Sequence, residues 1–331
     1  MTERDVKVSV LIPTFNYARY LPQAIESVLA QSCGDFELLI SDDASSDESA
    51  EIIRSYASHD ERIRFHIQSG GLGMVSNWNW CLREARGRYI KYLFADDYLL
   101  RNDSLATLLQ LIEARPDIAL ASSAREVVDQ SSNPIDRWEN IGSSGIFEGI
   151  EAISWSLRSN CNVFGEPSAV LFKRALVEQG FDPSYVQVVD WELWIRLLQQ
   201  GHLAYTTDSL TAFRRHPHQQ TERNRVAMGG ASEHTRLMKQ YSNYLVFNSK
   251  YQLETFDRLY RLRRKDHLEP HEMELAEWFA HALGSSYFGC LVRYKMSRPF
   301  FRMRRFWIEQ VKGQALTRVT HPQAITPMSV E

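Results

Sequence analysis

Short apolar runs alternate with longer segments of helical spacing along the first third of the chain. The apolar runs are rich in β-branched residues and are bounded by turn-forming residues, as buried strands are. We predict strands at residues 6–13, 36–40, 63–67, 89–93 and 118–122, and helices at residues 21–31, 74–85 and 103–115 and around residue 53. Strands and helices that alternate in this way form βαβ units. The sequence therefore predicts an α/β fold with a mostly parallel sheet flanked by helices.

Polar side chains follow three of these strands at the point where each strand ends. In open α/β sheets, ligands bind beyond the carboxyl ends of the strands, and neighbouring strand ends meet there. We therefore expect a single site to contain Thr14, Asn16, Asp42, Asp43, Asp96 and Asp97.

The adjacent carboxylates of Asp96 and Asp97 are the sharpest local signal. Two neighbouring carboxylates repel each other unless a cation lies beside them, and hard oxygen ligands suit Mg²⁺ or Mn²⁺. The alternative for a bare pair is a solvated loop whose acid caps a helix. Asp42 and Asp43 have the same alternative, because acids nearby could simply begin a helix.

The remainder of the chain divides into a continuation of this domain and a helical segment. Residues 127–162 carry serine-rich turns and predict an irregular connection. A strand pattern resumes at 165–172, a helix pattern at 190–198, and residues 211–216 close the domain. Beyond residue 222 the spacing is purely helical. We therefore predict an α/β domain at 1–221 and an appended helical segment at 222–331.

Charge and composition exclude several classes of protein. The formal net charge of the 331 residues is -3, so we expect no nucleic acid partner, which would call for a basic surface. No apolar leader precedes the first strand, and no run approaches the roughly 18 apolar residues of a membrane span. The four cysteines lack zinc-site or disulfide spacing and predict reduced thiols. These features favour a cytoplasmic protein.

One segment of the predicted helical region is strongly basic and rich in aromatic residues. Between Arg293 and Lys312, arginines and lysines alternate with large apolar side chains, and Glu309 is the only acid. Basic amphipathic helices of this kind lie on anionic membrane surfaces. A helix that packs on the domain and exposes its basic face is an equally good interpretation. The segment raises the hypothesis of a peripheral enzyme on the inner face of the membrane.

Five segments, in order, resemble the inverting family 2 glycosyltransferases, and they span about residues 6–217. Any one segment would be weak alone, but their common order makes a chance match improbable. The matching segments are Val8-Ser-Val-Leu-Ile-Pro-Thr-Phe-Asn-Tyr17, Phe36-Glu-Leu-Leu-Ile-Ser-Asp-Asp-Ala-Ser-Ser-Asp47, Gly73-Met-Val-Ser-Asn-Trp-Asn-Trp-Cys-Leu82, Ala85-Arg-Gly-Arg-Tyr-Ile-Lys-Tyr-Leu-Phe-Ala-Asp-Asp97 and Val189-Asp-Trp-Glu-Leu-Trp-Ile-Arg-Leu197.

The resemblance implies a fold that binds a nucleotide-sugar donor and assigns residues to the nucleotide. The positions that match donor-binding residues are Pro13, Thr14, Asn16, Asp43 and Asp96. An aspartate can accept the imide N–H of uracil, which favours a UDP-sugar, although guanine and thymine also carry ring N–H groups.

The resemblance also assigns the metal, the base and a basic stretch. Asp97, with Asp96, matches the ligands of a Mn²⁺ or Mg²⁺ ion that stabilises the departing diphosphate. Asp190 matches the catalytic base. The basic residues that match positions near the diphosphate are Arg214, Arg215 and His216.

Three positions depart from the pattern of many relatives. Phe94 stands where the first acid of an Asp-x-Asp motif would fall, and Trp78 stands where some relatives have arginine. Val189 precedes Asp190 in place of a glutamate, so the predicted base lacks an acidic neighbour in sequence.

These observations predict transfer of a sugar to a hydroxyl of a saccharide or lipid-linked acceptor, in surface polysaccharide synthesis. A nucleotidyltransferase that makes the sugar nucleotide is one alternative. The loop at residues 13–17 disfavours it, because such enzymes carry a glycine-rich, arginine-containing loop there. The other alternative is a non-catalytic relative that binds nucleotide or sugar, and Asp190 argues against it.

Overall fold

The computed structural model describes residues 6–159, 161–217, 219–221, 223–224 and 231–244. The described residues fall into two compact units. One contains residues 6–153 together with the described part of 162–224, and the other contains the described residues of 154–161 and 231–244. The predicted boundary between residues 221 and 222 stays a prediction. The basic segment from Arg293 to Lys312 lies outside the described residues.

Ten strands and seven helices are described, and both kinds of element alternate along the first half of the chain. The strands are β1 (Val8–Thr14), β2 (Phe36–Asp42), β3 (Ile63–Ile67), β4 (Tyr89–Tyr92), β5 (Tyr98–Leu99), β6 (Ile118–Val128), β7 (Pro134–Trp138), β8 (Gly145–Phe147), β9 (Val170–Lys173) and β10 (His202–Arg214). The helices are α1 (Leu21–Leu29), α2 (Ser49–Ala57), α3 (Met74–Glu84), α4 (Ser104–Glu113), α5 (Gly149–Ser159), α6 (Val189–Leu198) and α7 (Ala231–Gln240).

The strands form one mixed sheet in the order β3-β2-β1-β4-β9-β6-β10-β5, with β7 paired to β6 and β8 paired to β10. Strands β3, β2, β1 and β4 are parallel, as predicted, and β6 and β10 are also parallel. Strand β9 is antiparallel to both of its neighbours. Every residue of β1 and β2 is buried, as expected for strands covered on both faces. The predicted α/β fold class is confirmed.

Two sequence predictions fail in the second half of the domain. The connection at 127–162 is not irregular throughout, because it contains β7, β8 and α5. Its strands are short and lie off the main path of the sheet, so they lack the long apolar run of a buried strand. The strand predicted at 165–172 begins at Val170, because Pro167 starts a 3₁₀ turn that ends at Ala169. Proline suits the first position of such a turn.

Membrane spanning and cysteine chemistry can be assessed for the described part of the chain. Within it, no helix combines the length and the apolar character that crossing a bilayer requires. Cys33 and Cys81 are free thiols.

Gly87, in the turn before β4, packs so closely against the backbone of β1 that there is no space for a side chain. Gly87 N–H donates to Ser9 Oγ at 2.8 Å, and Ser9 Oγ donates to Glu37 Oε1 at 2.6 Å. A Cβ at Gly87 would lie 2.4 Å from Ser9 N and 2.7 Å from Val8 C. Since these are backbone atoms in the centre of the sheet, they cannot give way cheaply.

We expect Gly87→Ala to destabilise the domain by about 1–3 kcal/mol through overpacking. Gly34→Ala is the matched control, because a Cβ there meets nothing within 4 Å. Thermal unfolding followed by circular dichroism should show a melting temperature several degrees lower for the first variant and nearly unchanged for the second. Equal melting temperatures would contradict the close packing at Gly87.

Candidate active site

A cleft of about 490 Å³ opens at the carboxyl edge of the parallel strands. Its volume falls in the usual range of small-molecule sites. The ends of β1, β2 and β4 contribute to it, as the sequence predicts, and so do the starts of α3 and α6 and the end of β10. The polar and charged residues on its walls are Thr14, Asp43, Asn77, Asp96, Asp97, Glu166, Gln187, Asp190, Arg214, Gln219, Gln220, Thr221, Arg223 and Asn224.

Asp43 fixes the glycine-rich turn that precedes α3. Its Oδ1 accepts the N–H of Leu72 at 2.6 Å, and its Oδ2 accepts the N–H of Gly73 at 2.9 Å. Gly73 has φ of +86°, a left-handed conformation that favours glycine. The turn is therefore part of the cleft wall. Each carboxylate oxygen of Asp43 retains a lone pair for a ligand.

Asp97 lines the cleft and has one buried carboxylate oxygen without a hydrogen-bond partner. Its Oδ1 accepts the N–H of Arg214 at 2.9 Å, whereas its buried Oδ2 makes no hydrogen bond. Burial, followed by the charge of Asp96, raises the pKa of Asp97 well above its ordinary value. The Ser168 hydroxyl and the Arg214 N–H oppose this rise only in part. A buried carboxylate in this state either keeps a proton or takes a cation.

Asp96 and His216 form a pair beside Asp97. Asp96 Oδ2 lies 3.1 Å from His216 Nε2, and the histidine ring packs against the rings of Tyr17 and Tyr20. Asp96 lines the cleft, whereas His216, predicted near the diphosphate, does not. No group of three or more His, Cys, Asp or Glu side chains that could hold a metal occurs among the described residues. A metal bound by Asp97 and Asp96 would need ligand oxygens from the substrate, as Mg²⁺ usually has.

Arg214 supports the loop that carries these acids. Its Nε donates to Asp96 O at 2.8 Å, and its Nη2 donates to Gln23 Oε1 at 2.6 Å. Its Nη1 donates to Ser132 Oγ at 3.0 Å and to Asp129 O at 3.1 Å. The guanidinium also stacks over the rings of Tyr20 and Tyr98. Every nitrogen of the guanidinium is therefore used inside the protein.

Asn16, Asp42 and Arg215, also predicted, lie away from the cleft walls. The Asp42 carboxylate instead accepts the N–H and the hydroxyl of Ser45 at 3.0 Å and 2.5 Å. Asn16 Oδ1 accepts the N–H of Ser46 at 2.8 Å, so the amide joins the loops after β1 and β2. Its φ of +60° is a left-handed conformation that asparagine tolerates. Arg215 has an exposed side chain, and its N–H donates to Val128 O at 2.8 Å.

Asp190 lies in the first turn of α6 and lines the cleft. Its Oδ1 accepts the N–H of Trp191 at 2.8 Å, and its Oδ2 accepts the amide of Asn162 at 2.9 Å. Burial, followed by the charge of Glu166, raises the pKa of Asp190 to about 7. A carboxylate with this pKa suits proton transfer near neutral pH.

Sequence reasoning missed three residues of the site. Glu166 and Arg223 line the cleft, but neither belongs to a motif that separates it from ordinary surface charge. Lys91 is fully buried in β4. Lysine is rarely buried without a partner, so a lysine within an apolar strand could have indicated a special role. Lys91 Nζ donates to the carbonyls of Tyr92 and Ser168.

The two aromatic departures from the family pattern contact each other. The rings of Trp78 and Phe94 have centroids 4.7 Å apart, and the ring of Phe181 lies edge-on to Trp78 at 5.2 Å. Trp78 and Phe94 both line the cleft. Its wall beside Asp96 is therefore aromatic, and one ring supports the other.

Comparisons with known proteins agree with this geometry. The sequence model described as Glycosyl transferase family 2 matches residues 9–178. Chondroitin synthase of Escherichia coli is 30% identical over 203 residues, which are 59% of this chain and 27% of that protein. TuaG of Bacillus subtilis, named as a teichuronic acid biosynthesis glycosyltransferase, is 27% identical over 205 residues, covering 62% of this chain and 77% of TuaG.

Among solved structures, S. aureus TarS in complex with UDP-GlcNAc superposes with a TM-score of 0.64 at 15% identity. The superposition covers 84% of this chain and 81% of the TarS chain, and it shows a shared fold. The family and the fold class predicted from the sequence are both confirmed. The chain belongs to glycosyl transferase family 2 and is a glycosyltransferase.

Proposed function

We propose that this glycosyltransferase uses a UDP-sugar with Mg²⁺ or Mn²⁺ and inverts the anomeric centre. The acceptor is a hydroxyl of a saccharide or of a lipid-linked saccharide in surface polysaccharide synthesis. The observation that carries the proposal is that Asp97, which has a buried unpaired carboxylate oxygen, lines the same cleft as Asp190, whose pKa burial raises to about 7. One acid suits a cation, and the other suits a proton.

The residues present fit a divalent cation. Asp97 Oδ2 is a buried oxygen without a hydrogen-bond partner, and Asp96 is next to it in sequence on the same wall. Mg²⁺ typically takes one or two protein carboxylates and fills its other positions with phosphate oxygens and water. Bound there, the ion would neutralise charge that develops on the departing diphosphate. Asp97 and Asp96 would hold it.

The nucleotide fits the wall formed by β1 and β2. Thr14 Oγ1 is buried, lines the cleft and makes no hydrogen bond, so it has capacity for a ligand. Asp43, whose N–H donates to Thr14 O at 2.9 Å, follows β2 and holds the turn before α3. We assign Pro13, Thr14 and Asp43 to the nucleoside and keep Asn16 as a residue that shapes the loop.

Asp190 is proposed as the base. As the acceptor oxygen attacks the anomeric carbon, the carboxylate takes the hydroxyl proton, and the bond from that carbon to the diphosphate oxygen breaks. The bonding electrons leave with the diphosphate. Attack opposite the leaving group inverts the anomeric centre, so a donor with an α-linkage gives a β-linked product.

The same assay separates this proposal from its alternatives. A glycosyltransferase releases UDP from a UDP-sugar in proportion to an added acceptor. A nucleotidyltransferase instead needs a nucleoside triphosphate and a sugar phosphate, and a non-catalytic relative binds nucleotide without turnover. The cytoplasmic location and the membrane contact through residues 293–312 stay predictions, which co-sedimentation with anionic vesicles would test.

We expect Asp97→Asn to remove the stimulation of UDP binding by Mn²⁺, because an amide oxygen carries no charge. Isothermal titration with UDP at saturating Mn²⁺ should show an affinity at least about tenfold weaker than that of the wild type. Asp208→Asn is the matched control, since Asp208 is exposed and pairs only with Arg101. Unchanged affinity in the Asp97 variant would remove the metal assignment.

We expect Arg223→Gln to weaken UDP binding about tenfold, the usual effect of losing a charged hydrogen bond. Arg223 is exposed and lines the cleft, whereas each nitrogen of the Arg214 guanidinium already donates a hydrogen bond inside the protein. Arg215→Gln should bind UDP as the wild type does. The reverse ranking of these two variants would return the diphosphate to Arg215, one of the three residues that the sequence predicts near it.

We expect Asp190→Asn to lower turnover by about 10²–10⁴-fold while UDP affinity barely changes. Asparagine keeps the shape of the side chain and removes its basicity. Glu192→Gln on the same helix is the comparison, because Glu192 pairs with Arg196 at 2.9 Å and does not line the cleft. Near-wild-type turnover of Asp190→Asn would show that another group takes the proton.

A further inference from the structure

The loop of residues 162–166 ties the proposed base to a second acid. Asn162 Nδ2 donates to Asp190 Oδ2 at 2.9 Å and to Gly165 O at 3.1 Å. Gly165 O also accepts the indole N–H of Trp194, which lies on the same helix as Asp190, at 3.0 Å. Two groups of the loop are therefore hydrogen-bonded to α6: the Asn162 amide to Asp190, and the Gly165 carbonyl to Trp194.

The shape of this loop requires glycine at position 165. Gly165 has φ of +104°, and a Cβ there would lie 3.1 Å from the Cβ of Ala169. The next residue, Glu166, lines the same cleft as Asp190. The turn at Gly165 thus sets where the Glu166 side chain enters the cleft.

Arg125 holds Glu166 in that position. Arg125 Nη2 donates to Glu166 Oε1 at 3.1 Å, and Arg125 Nε lies 2.5 Å from Glu166 Oε2. The Arg125 side chain is only 3% exposed and packs over the ring of Trp138. One hydrogen bond and one close ionic contact to a buried guanidinium therefore hold the partly exposed carboxylate of Glu166.

We infer that Glu166 is a positioning residue: its fixed charge is the acidic neighbour that makes Asp190 a stronger base. The residue before Asp190 is valine, so no acid adjacent in sequence provides this charge. A separate loop brings one to the cleft instead. The inference rests on the proposed role of Asp190 and extends it to a second residue.

The other charged groups around Asp190 do not replace Glu166. Glu192 on the same helix is paired with Arg196, and Arg125 on β6 is paired with Glu166 itself. Asp43, Asp96, Asp97, Arg214 and Arg223 share the cleft walls. Burial is the first cause of the raised pKa of Asp190, and the charge of Glu166 is the second.

The test compares wild type with Glu166→Gln, which keeps the shape of the side chain and removes its charge. Loss of a nearby negative charge lowers the pKa of Asp190, so its ionised form persists to lower pH. The acidic limb of the kcat/KM profile should move down by about half a pH unit or more. Glu61→Gln, which removes an exposed acid outside the cleft, should leave the limb in place.

A second readout needs no turnover. In protein labelled with ¹³C at the aspartate carboxyl, the resonance that disappears in Asp190→Asn reports the titration of Asp190. Its midpoint should fall by the same amount in Glu166→Gln. A variant that loses activity at every pH but keeps both midpoints would overturn the inference and leave Glu166 a structural residue.

The two hypotheses fail separately. If Asp190→Asn turns over normally, the base assignment fails, yet the ¹³C midpoint still measures the effect of Glu166 on Asp190. If Asp190→Asn is inactive and neither midpoint moves in Glu166→Gln, only this inference fails. Should Glu166→Gln fold poorly, Arg125→Gln/Glu166→Gln removes both charges of the ion pair, and a smaller downward shift is expected. No shift in the double variant would also contradict the inference.

Discussion

One carboxylate oxygen of Asp97 accepts a hydrogen bond, and the other has no hydrogen-bond partner. The arrangement of the site depends on this difference. The N–H of Arg214 at the end of β10 binds Oδ1 and orients the group. The guanidinium of Arg214 then ties the carbonyl of Asp96 to the residues beneath it. The acidic loop is consequently rigid before any ligand arrives. A buried anion held in this way binds a cation without first paying to order its ligands.

A buried lysine lies beneath the same loop. Burial lowers the pKa of Lys91 to about 7, and the charge of Asp97 opposes that decrease. Ser168 joins the elements around it, because its carbonyl accepts Lys91 Nζ and Thr211 Oγ1 while its hydroxyl accepts the N–H of Phe94. The short 3₁₀ turn at residues 167–169 thereby links β4 to β10. This link explains why a strand from late in the chain completes a site begun by the first strands.

The sequence predicted those parts of the site that local pattern determines. Thr14, Asp43 and Asp97 lie at or just after strand ends. The spacing of apolar residues and the turn-forming residues locate strand ends in a sequence without knowledge of the tertiary fold. Charge alone could not separate Arg214 from Arg223, because the difference lies in which guanidinium finds internal partners. Glu166 escaped notice for a related reason. Its importance comes from Arg125 and Asp190, which are distant in sequence and meet it only after folding.

The departures from the family pattern show the same limit. Phe94 and Trp78 each read as the loss of a polar residue when considered singly. In the fold their rings contact each other at the cleft, so the two changes belong to one aromatic wall. The missing acid before Asp190 likewise has a counterpart in Glu166. Tertiary contacts of this kind pair positions that a linear motif treats as independent.

Anomalous diffraction from crystals soaked with UDP and Mn²⁺ tests the central claim most directly. The account predicts a manganese peak within about 2.2 Å of Asp97 Oδ2, bridged to the diphosphate, in the cleft that also contains Asp190. UDP bound in this cleft with no metal at Asp97, or a manganese peak at other residues, would contradict it.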